Sequence, residues 1–357
     1  MADDDKTTEL NNYKTPESMN FIDITNKVSR ILIKYPRFNE TVKKIEYCHK
    51  TTQSSSESEN LFIGGFTGVG KSTVCKEYVK QYPRYDDGDV TKIPVLMIRI
   101  PSPATEKGLV TKLLHEMGDP LAEKGSKSVL TLRLMRYIEK CEVKLIILDE
   151  FQHFIDRDSQ KVLRTVTDWL KVLIEDTGVA VVLLGLDGGG HVNNSGIIFD
   201  ANPQLSRRFA HRHVLEPFKF SSDKEIDEFE KFLYMFDTHL PLEQISNLSE
   251  DETAFRFYYA TDGVVGYVTK LLKFGTSMAL ESKEKHLTND ILAKAFDQHV
   301  KSDKTWKINP FGSSTIEDIE EALENPKENY KITDTALNNR LRKIKEKIRI
   351  NEILRTK

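Results

Sequence analysis

Gly65-Phe66-Thr67-Gly68-Val69-Gly70-Lys71-Ser72 is a complete phosphate-binding loop of the pattern G-x-x-x-x-G-K-[ST]. Apolar Leu61-Phe62-Ile63 precedes it, and the helix-compatible run Thr73-Val74-Cys75-Lys76-Glu77-Tyr78-Val79 follows. That strand–loop–helix context separates a working loop from a glycine-rich turn. The glycines let backbone N–H groups turn inward and cradle phosphate oxygens at a helix N-terminus. The expected nucleotide contacts run from Gly65 through Phe66, Thr67, Gly68, Val69, Gly70, Lys71 and Ser72 to Thr73. Lys71 is placed to reach the β- and γ-phosphates of ATP, and Ser72 to hold Mg²⁺.

Outward from the loop, short apolar runs alternate with helical stretches. After Leu61–Gly64 come Val95–Ile100, Leu145–Leu148 and Val179–Leu184, with Val214-Leu215 as a short fifth strand. Helices are expected at 108–117, 130–141 and 159–175. Runs this apolar fit parallel strands covered on both faces. The fold class is therefore α/β, a P-loop nucleotide-binding fold with a parallel sheet core. The expected division is a mobile N-terminus (1–20), an N-terminal helical segment (21–55), the α/β nucleotide-binding domain (56–217), a helical lid (218–305), and an acidic tether with a basic C-terminal helix (306–357). Residues 50–60 are polar and serine-rich, as in a flexible link.

Leu145-Ile146-Ile147-Leu148-Asp149-Glu150 is an apolar strand that ends in two carboxylates. Downstream of an intact loop it reads as a Walker B segment. Asp149 would hold Mg²⁺ and Glu150 would orient and deprotonate the attacking water. Further on, Asn202-Pro203-Gln204-Leu205-Ser206-Arg207-Arg208-Phe209 offers two arginines. In oligomeric P-loop ATPases such a cation reaches the γ-phosphate on a neighbouring subunit. Arg208 is the preferred candidate, with Arg207 beside it. A local salt bridge is the competing reading of either.

Of the 357 residues 39% are hydrophobic and 30% charged, and the net charge of −3 carries no global basic signature. Nucleic-acid contact would need a local patch. The three cysteines, Cys48, Cys75 and Cys141, are scattered without metal-ligand spacing and fit a reducing compartment. The acidic start, Met1 to Lys6, lacks the apolar core of a secretion signal, and no run approaches a membrane span. A cytoplasmic location without membrane partners is the expectation.

With these pieces in place the chain resembles the TnsC/TniB family of AAA+ transposition regulators over about residues 20–305. Beyond the Walker motifs, three stretches carry the likeness. They are Ile93–Pro103 continuing to Met117-Gly118-Asp119-Pro120, then Asp149-Glu150-Phe151-Gln152-His153-Phe154-Ile155, then Gln204–Phe209 ending at Glu216-Pro217-Phe218. The resemblance implies a bacterial ATPase that forms rings or helical filaments on double-stranded DNA. It would link transposase subunits to a target selector of the TniQ/TnsD type. Two departures stand out. Gly185-Leu186-Asp187 replaces the family's Gly-Thr, so Leu186 cannot sense the γ-phosphate. No sensor-2 arginine is evident near Gly263-Val264-Val265-Gly266-Tyr267, so Tyr267 or Lys270 would face the nucleotide instead.

The same resemblance places Lys107, Lys112, Lys124, Ser126 and Lys127 in segments that line a central pore around DNA, where cations would track phosphates without reading sequence; a solvated helix-end charge is the competing reading of each lysine. Residues 340–357 carry eight Lys/Arg against two acids, with Leu337, Leu341, Ile344 and Ile348 at helical spacing. That pattern fits a helix that docks a partner, a helix packed on the lid, or a membrane-surface helix. His191, His211 and His213 read as surface polar residues rather than metal ligands. Gly188-Gly189-Gly190 reads as a loop, and Trp169 as core. An AAA+ signalling or secretion-type switch is the alternative function. A helicase-loader or origin-binding reading lacks the winged helix it would need.

Overall fold

The computed structural model of the chain describes residues 21–54, 58–154, 160–186, 199, 203–305 and 307–324. The expectations for residues 1–20, Ile155, Asp187 to His191, Asn202, Trp306 and the basic segment 340–357 lie outside these. The chain divides into two compact units, Lys34–Pro217 and a second made of residues up to Ile33 together with those from Phe218 onward.

The first unit is built on a five-stranded parallel sheet. Its strands are β1 (Leu61–Gly64), β4 (Val95–Arg99), β5 (Leu145–Asp149), β6 (Ala180–Leu184) and β7 (His211–Val214), in the order β4-β5-β6-β1-β7. Every residue of β1, β5 and β6 is buried, which is why these runs read as unbroken apolar sequence. The helices are α2 (Pro36–Ser54), α3 (Lys71–Val79), α4 (Glu106–Glu116), α5 (Lys127–Lys140), α6 (Gln160–Thr177) and the short α7 (Pro203–Arg208). The fifth strand begins earlier than its apolar end predicts. It starts at His211, and alternate residues of His211–Val214 are half-buried rather than core. Trp169 lies in the core as expected.

Tyr85–Asp87 (β2) and Val90–Lys92 (β3) form a small antiparallel hairpin that the sequence reading missed. Strands this short carry no periodicity, although Asp87-Gly88 is a turn signal. Gly88 takes a left-handed φ of 66° there.

Among the described residues, both ends of the stretch read as a flexible link at 50–60 are built into the fold. Helix α2 continues to Ser54. Asn60 is buried, its Oδ1 accepting from Val181 N at 2.8 Å and its Nδ2 donating to the Arg208 carbonyl at 3.3 Å. It thus ties β1 to β6 and to the end of α7. Helix α2 is fixed to α3 by His49, whose Nδ1 meets the Tyr78 hydroxyl at 2.9 Å. Burial holds the His49 ring below its ordinary pKa. Thr41 and His213 pair at 2.8 Å, joining α2 to β7.

The second unit is helical: α1 (Phe21–Ser29), α8 (Asp223–Asp237), α9 (Asp251–Thr261), α10 (Val265–Glu281), α11 (Asn289–His299) and α12 (Ile316–Glu324). Helix α8 opens with a capping box in which Ser222 and Glu225 satisfy each other's backbone N–H groups. Helix α1 packs along α10, with Phe21 and Phe274 ring centroids 6.2 Å apart. The helical segment expected at 21–55 is therefore shared between the two units.

The stretch read as a tether is docked at its root. Arg256 Nη1 donates to the carbonyls of Pro310 and Ser314, and Phe311 is buried against the Phe257 ring at 5.1 Å. Lys307 is buried, pairs with Asp262 at 2.5 Å and donates to the Tyr259 carbonyl. Desolvation outweighs Asp262 and lowers the Lys307 pKa from 10.5 to about 8. Between those values the unfolded chain keeps a proton that the folded chain has lost, so this group makes stability rise with pH. Thermal melts of the full chain and of Lys307→Met should show the wild type gaining on the variant as pH rises from 8 to 10. A difference that is flat or shrinks over that window would contradict the assignment.

Candidate nucleotide site

The C-terminal ends of β1 and β5 carry the two halves of the candidate site. Only β6 separates these strands in the sheet, so at about 4.8 Å per strand their ends lie roughly 10 Å apart. Open α/β sheets bind ligands at this edge. A cleft of about 420 Å³ opens there, lined by Ser72, Lys76, Val79, Met97, Ile98, Arg99, Asp149 and Glu150. Ser72 of the loop and both Walker B carboxylates thus share one cavity.

The loop's shape follows from its glycines. Gly68 and Gly70 have φ of 85° and 102°, a region that side-chain-bearing residues rarely enter. Gly65 has φ 150°, and a Cβ there would sit 2.4 Å from the Leu215 carbonyl oxygen. The Leu215 N–H in turn donates to the Gly64 carbonyl at 2.9 Å. The loop is seated against the backbone that leaves β7. From the other side Tyr35 donates its hydroxyl to the Val69 carbonyl at 3.3 Å. Lys71 donates to the Gly65 and Phe66 carbonyls at 2.6 and 2.8 Å, which holds its ammonium at the loop. Phe66 and Thr67 are exposed, Val69 is buried, and Thr73 is exposed one turn into α3.

Asp149 is buried and accepts the Glu150 backbone N–H at 2.9 Å. Glu150 itself has φ 64°, an uncommon conformation for a side-chain-bearing residue and one that concentrates at functional sites. Its carboxylate faces Arg99 at 3.3 Å and accepts from Gln152. Neither partner was named from the sequence as acting on Glu150. Arg99 ends β4 and Gln152 lies in the turn after β5, and only the β4–β5 pairing, with Arg99 opposite Asp149, brings Arg99 to Walker B. Cys75 is buried in α3, and burial, then the charge of Asp149, pushes its thiol well above the usual range. It stays a neutral core side chain. Ser72 and Asp149 are hard oxygen donors on one cleft, a set that fits Mg²⁺.

The remaining expected residues are dispersed. Arg208 pairs with Glu175 within its own unit, which is the local salt bridge weighed against it, while Arg207 is exposed. Leu186 is half-buried. Tyr267 and Lys270 belong to the helical unit. There Lys304 Nζ lies 4.8 Å from the Tyr267 ring centroid, and Lys270 pairs with Asp303 at 2.9 Å. Lys107 and Lys124 are exposed, and Lys112 is half-buried. Ser126 caps α5, accepting from Val129 N, and Lys127 pairs with the buried Glu106 at 3.1 Å. His211 pairs with Glu59 at 2.9 Å. Among the described residues no cluster of His, Cys, Asp or Glu has metal-binding spacing, and no helix is long and apolar enough to cross a membrane.

Solved structures share this architecture. The Cdc6p protein of Pyrobaculum aerophilum matches with a TM-score of 0.58 at 12% identity, over 79% of this chain and 74% of that one. The Aeropyrum pernix ORC2 protein, solved as ADPNP-ADP complexes, matches at 0.55 and 15% identity, over 82% and 75%. The Aeropyrum pernix ORC1 protein in complex with DNA matches at 0.52 and 15%, over 78% and 68%. At these identities the likeness establishes the fold, that of the AAA+ P-loop ATPases. No curated protein sequence matches the chain. The model of the bacterial TniB protein family matches residues 24–219, which is over half of the chain and includes the loop, both Walker B carboxylates and the two arginines. The chain is an ATPase and belongs to the TniB family.

Proposed function

We propose that this ATPase regulates transposition: it binds ATP with Mg²⁺, assembles with copies of itself on double-stranded DNA, and links a TniQ/TnsD-type target selector to transposase subunits. The observation that carries the chemistry is the single cleft shared by Ser72, Asp149 and Glu150. Family membership supports the biological role, and the DNA complex of the similarly folded ORC1 protein is consistent with DNA as the ligand.

In this reading Gly65 to Thr73 hold the triphosphate. Mg²⁺ held by Ser72 and Asp149 would neutralise charge on the phosphates. Glu150 takes a proton from water as the water oxygen attacks the γ-phosphorus. The bond to the β–γ bridging oxygen breaks, its electron pair leaves with ADP, and phosphate is released. Arg207, or Arg208 once released from Glu175, supplies a cation to a neighbouring subunit. Lys107, Lys112, Lys124, Ser126 and Lys127 contact DNA phosphates.

Steady-state ATP turnover with and without duplex DNA of arbitrary sequence tests this. Duplex should raise turnover of the wild type, with the stimulation fading as salt rises. Replacing Lys107, Lys112 and Lys124 by Glu together should abolish the stimulation and leave basal turnover intact. Turnover indifferent to duplex in the wild type would reject the DNA role and favour a switch that acts on protein partners.

A further inference from the structure

Both carboxylate oxygens of Glu150 are engaged by side chains, and the two engagements differ in kind. Oε1 faces Arg99, whose side chain is 71% exposed. An ion pair so open to solvent fixes little. Oε2 accepts from Gln152 Nε2. Gln152 is only 6% exposed and sits in the 3₁₀ turn Phe151–Phe154, whose two phenylalanines are fully buried. The turn therefore locks the amide in place.

The far end of that amide has no hydrogen-bonding reason to be there. Gln152 Oε1 is buried and lacks a hydrogen-bond partner among the described residues. A buried acceptor left unpaired destabilises a fold, and an apolar side chain of equal size would suit the position better. Rotating the amide by half a turn gives no relief, because it would set Oε1 against a carboxylate that can only accept. The position thus carries an interior penalty, and among the described residues the hydrogen bond from its amide to Glu150 is what explains it.

We infer that Gln152 is a positioning residue for ATP hydrolysis: its buried amide holds the Glu150 carboxylate in the orientation from which it takes the proton of the attacking water. The inference rests on the reading of Glu150 as the base. Glu150 needs such a brace because its left-handed backbone, turned by the Asp149 side chain, leaves the carboxylate with an exposed arginine as its other side-chain partner.

Full-length Gln152→Met, Glu150→Gln and wild type should be compared in three measurements: turnover, affinity for a fluorescent non-hydrolysable ATP analogue, and thermal midpoint. Methionine keeps the volume, removes the donor and removes the unpaired carbonyl. The expected result for Gln152→Met is a kcat ten- to a hundredfold lower. Its KM for ATP and its analogue affinity should be unchanged, and its thermal midpoint equal or higher. Two outcomes overturn the inference while leaving the base assignment standing. One is wild-type kcat in Gln152→Met beside an inactive Glu150→Gln. The other is a kcat loss matched by equal losses of analogue affinity and thermal midpoint. Wild-type turnover in Glu150→Gln would overturn the base assignment itself, and this inference with it.

Discussion

Glu150→Gln should lower ATP turnover by two to four orders of magnitude while leaving nucleotide binding intact. The magnitude is what a positioned general base contributes. The separation of binding from turnover follows from geometry. Phosphate contacts are assigned to the loop and to Lys71, and Glu150 lies at the end of a different strand, across β6. Glutamine keeps the side chain's size and its capacity to meet Arg99, so the cleft should survive. Turnover by coupled assay and binding by fluorescent-analogue titration check this together. A variant with turnover within tenfold of wild type would mean that another group takes the proton. One that loses binding as well would mean that the carboxylate holds the site together.

The second large effect is expected at Gly65. Replacing Gly65 by Ala should destabilise the first unit by on the order of 3 kcal/mol and abolish measurable nucleotide binding. Two causes add. The φ of 150° is unfavourable for alanine, and the new Cβ would lie 2.4 Å from the Leu215 carbonyl oxygen and 3.2 Å from Val69 Cγ2. The nearer atom is backbone, so relief requires the loop to part from β7, and the Leu215–Gly64 hydrogen bond is lost with it. Gly88 is the control. Its φ is also left-handed, at 66°, but a Cβ there meets nothing within 4 Å. Gly88→Ala should cost about 1 kcal/mol and leave binding unchanged. Thermal melts and analogue titration of both variants decide the matter. Equal effects at the two positions would show that backbone conformation, rather than the seat against β7, dominates.

What could be read in advance was whatever sits close together in sequence. Gly65 to Ser72 and Leu145 to Glu150 are contiguous signatures, and their flanking apolar runs announced buried parallel strands. The site's second layer was not legible, because it depends on sheet register. Arg99 reaches Glu150 only through the pairing of β4 with β5. Gln152 was noticed as part of a family-like stretch, but its burial and its bond to Glu150 required the turn to be seen. Composition misled at the root of the tether. Pro310, Gly312 and the acidic residues read as a linker, yet Phe311, Ile316 and Ile319 are buried and Arg256 grips the backbone there. Polar spacing hid an apolar set too sparse to show a period.

The most direct test of an ATP-driven assembly on DNA is electron microscopy of the full-length protein with and without a non-hydrolysable ATP analogue and duplex DNA. Rings or filaments that form only when both ligands are present, and that disappear in Gly65→Ala, are the predicted result. Particles of a single small size under all four conditions, despite saturating analogue, would contradict it.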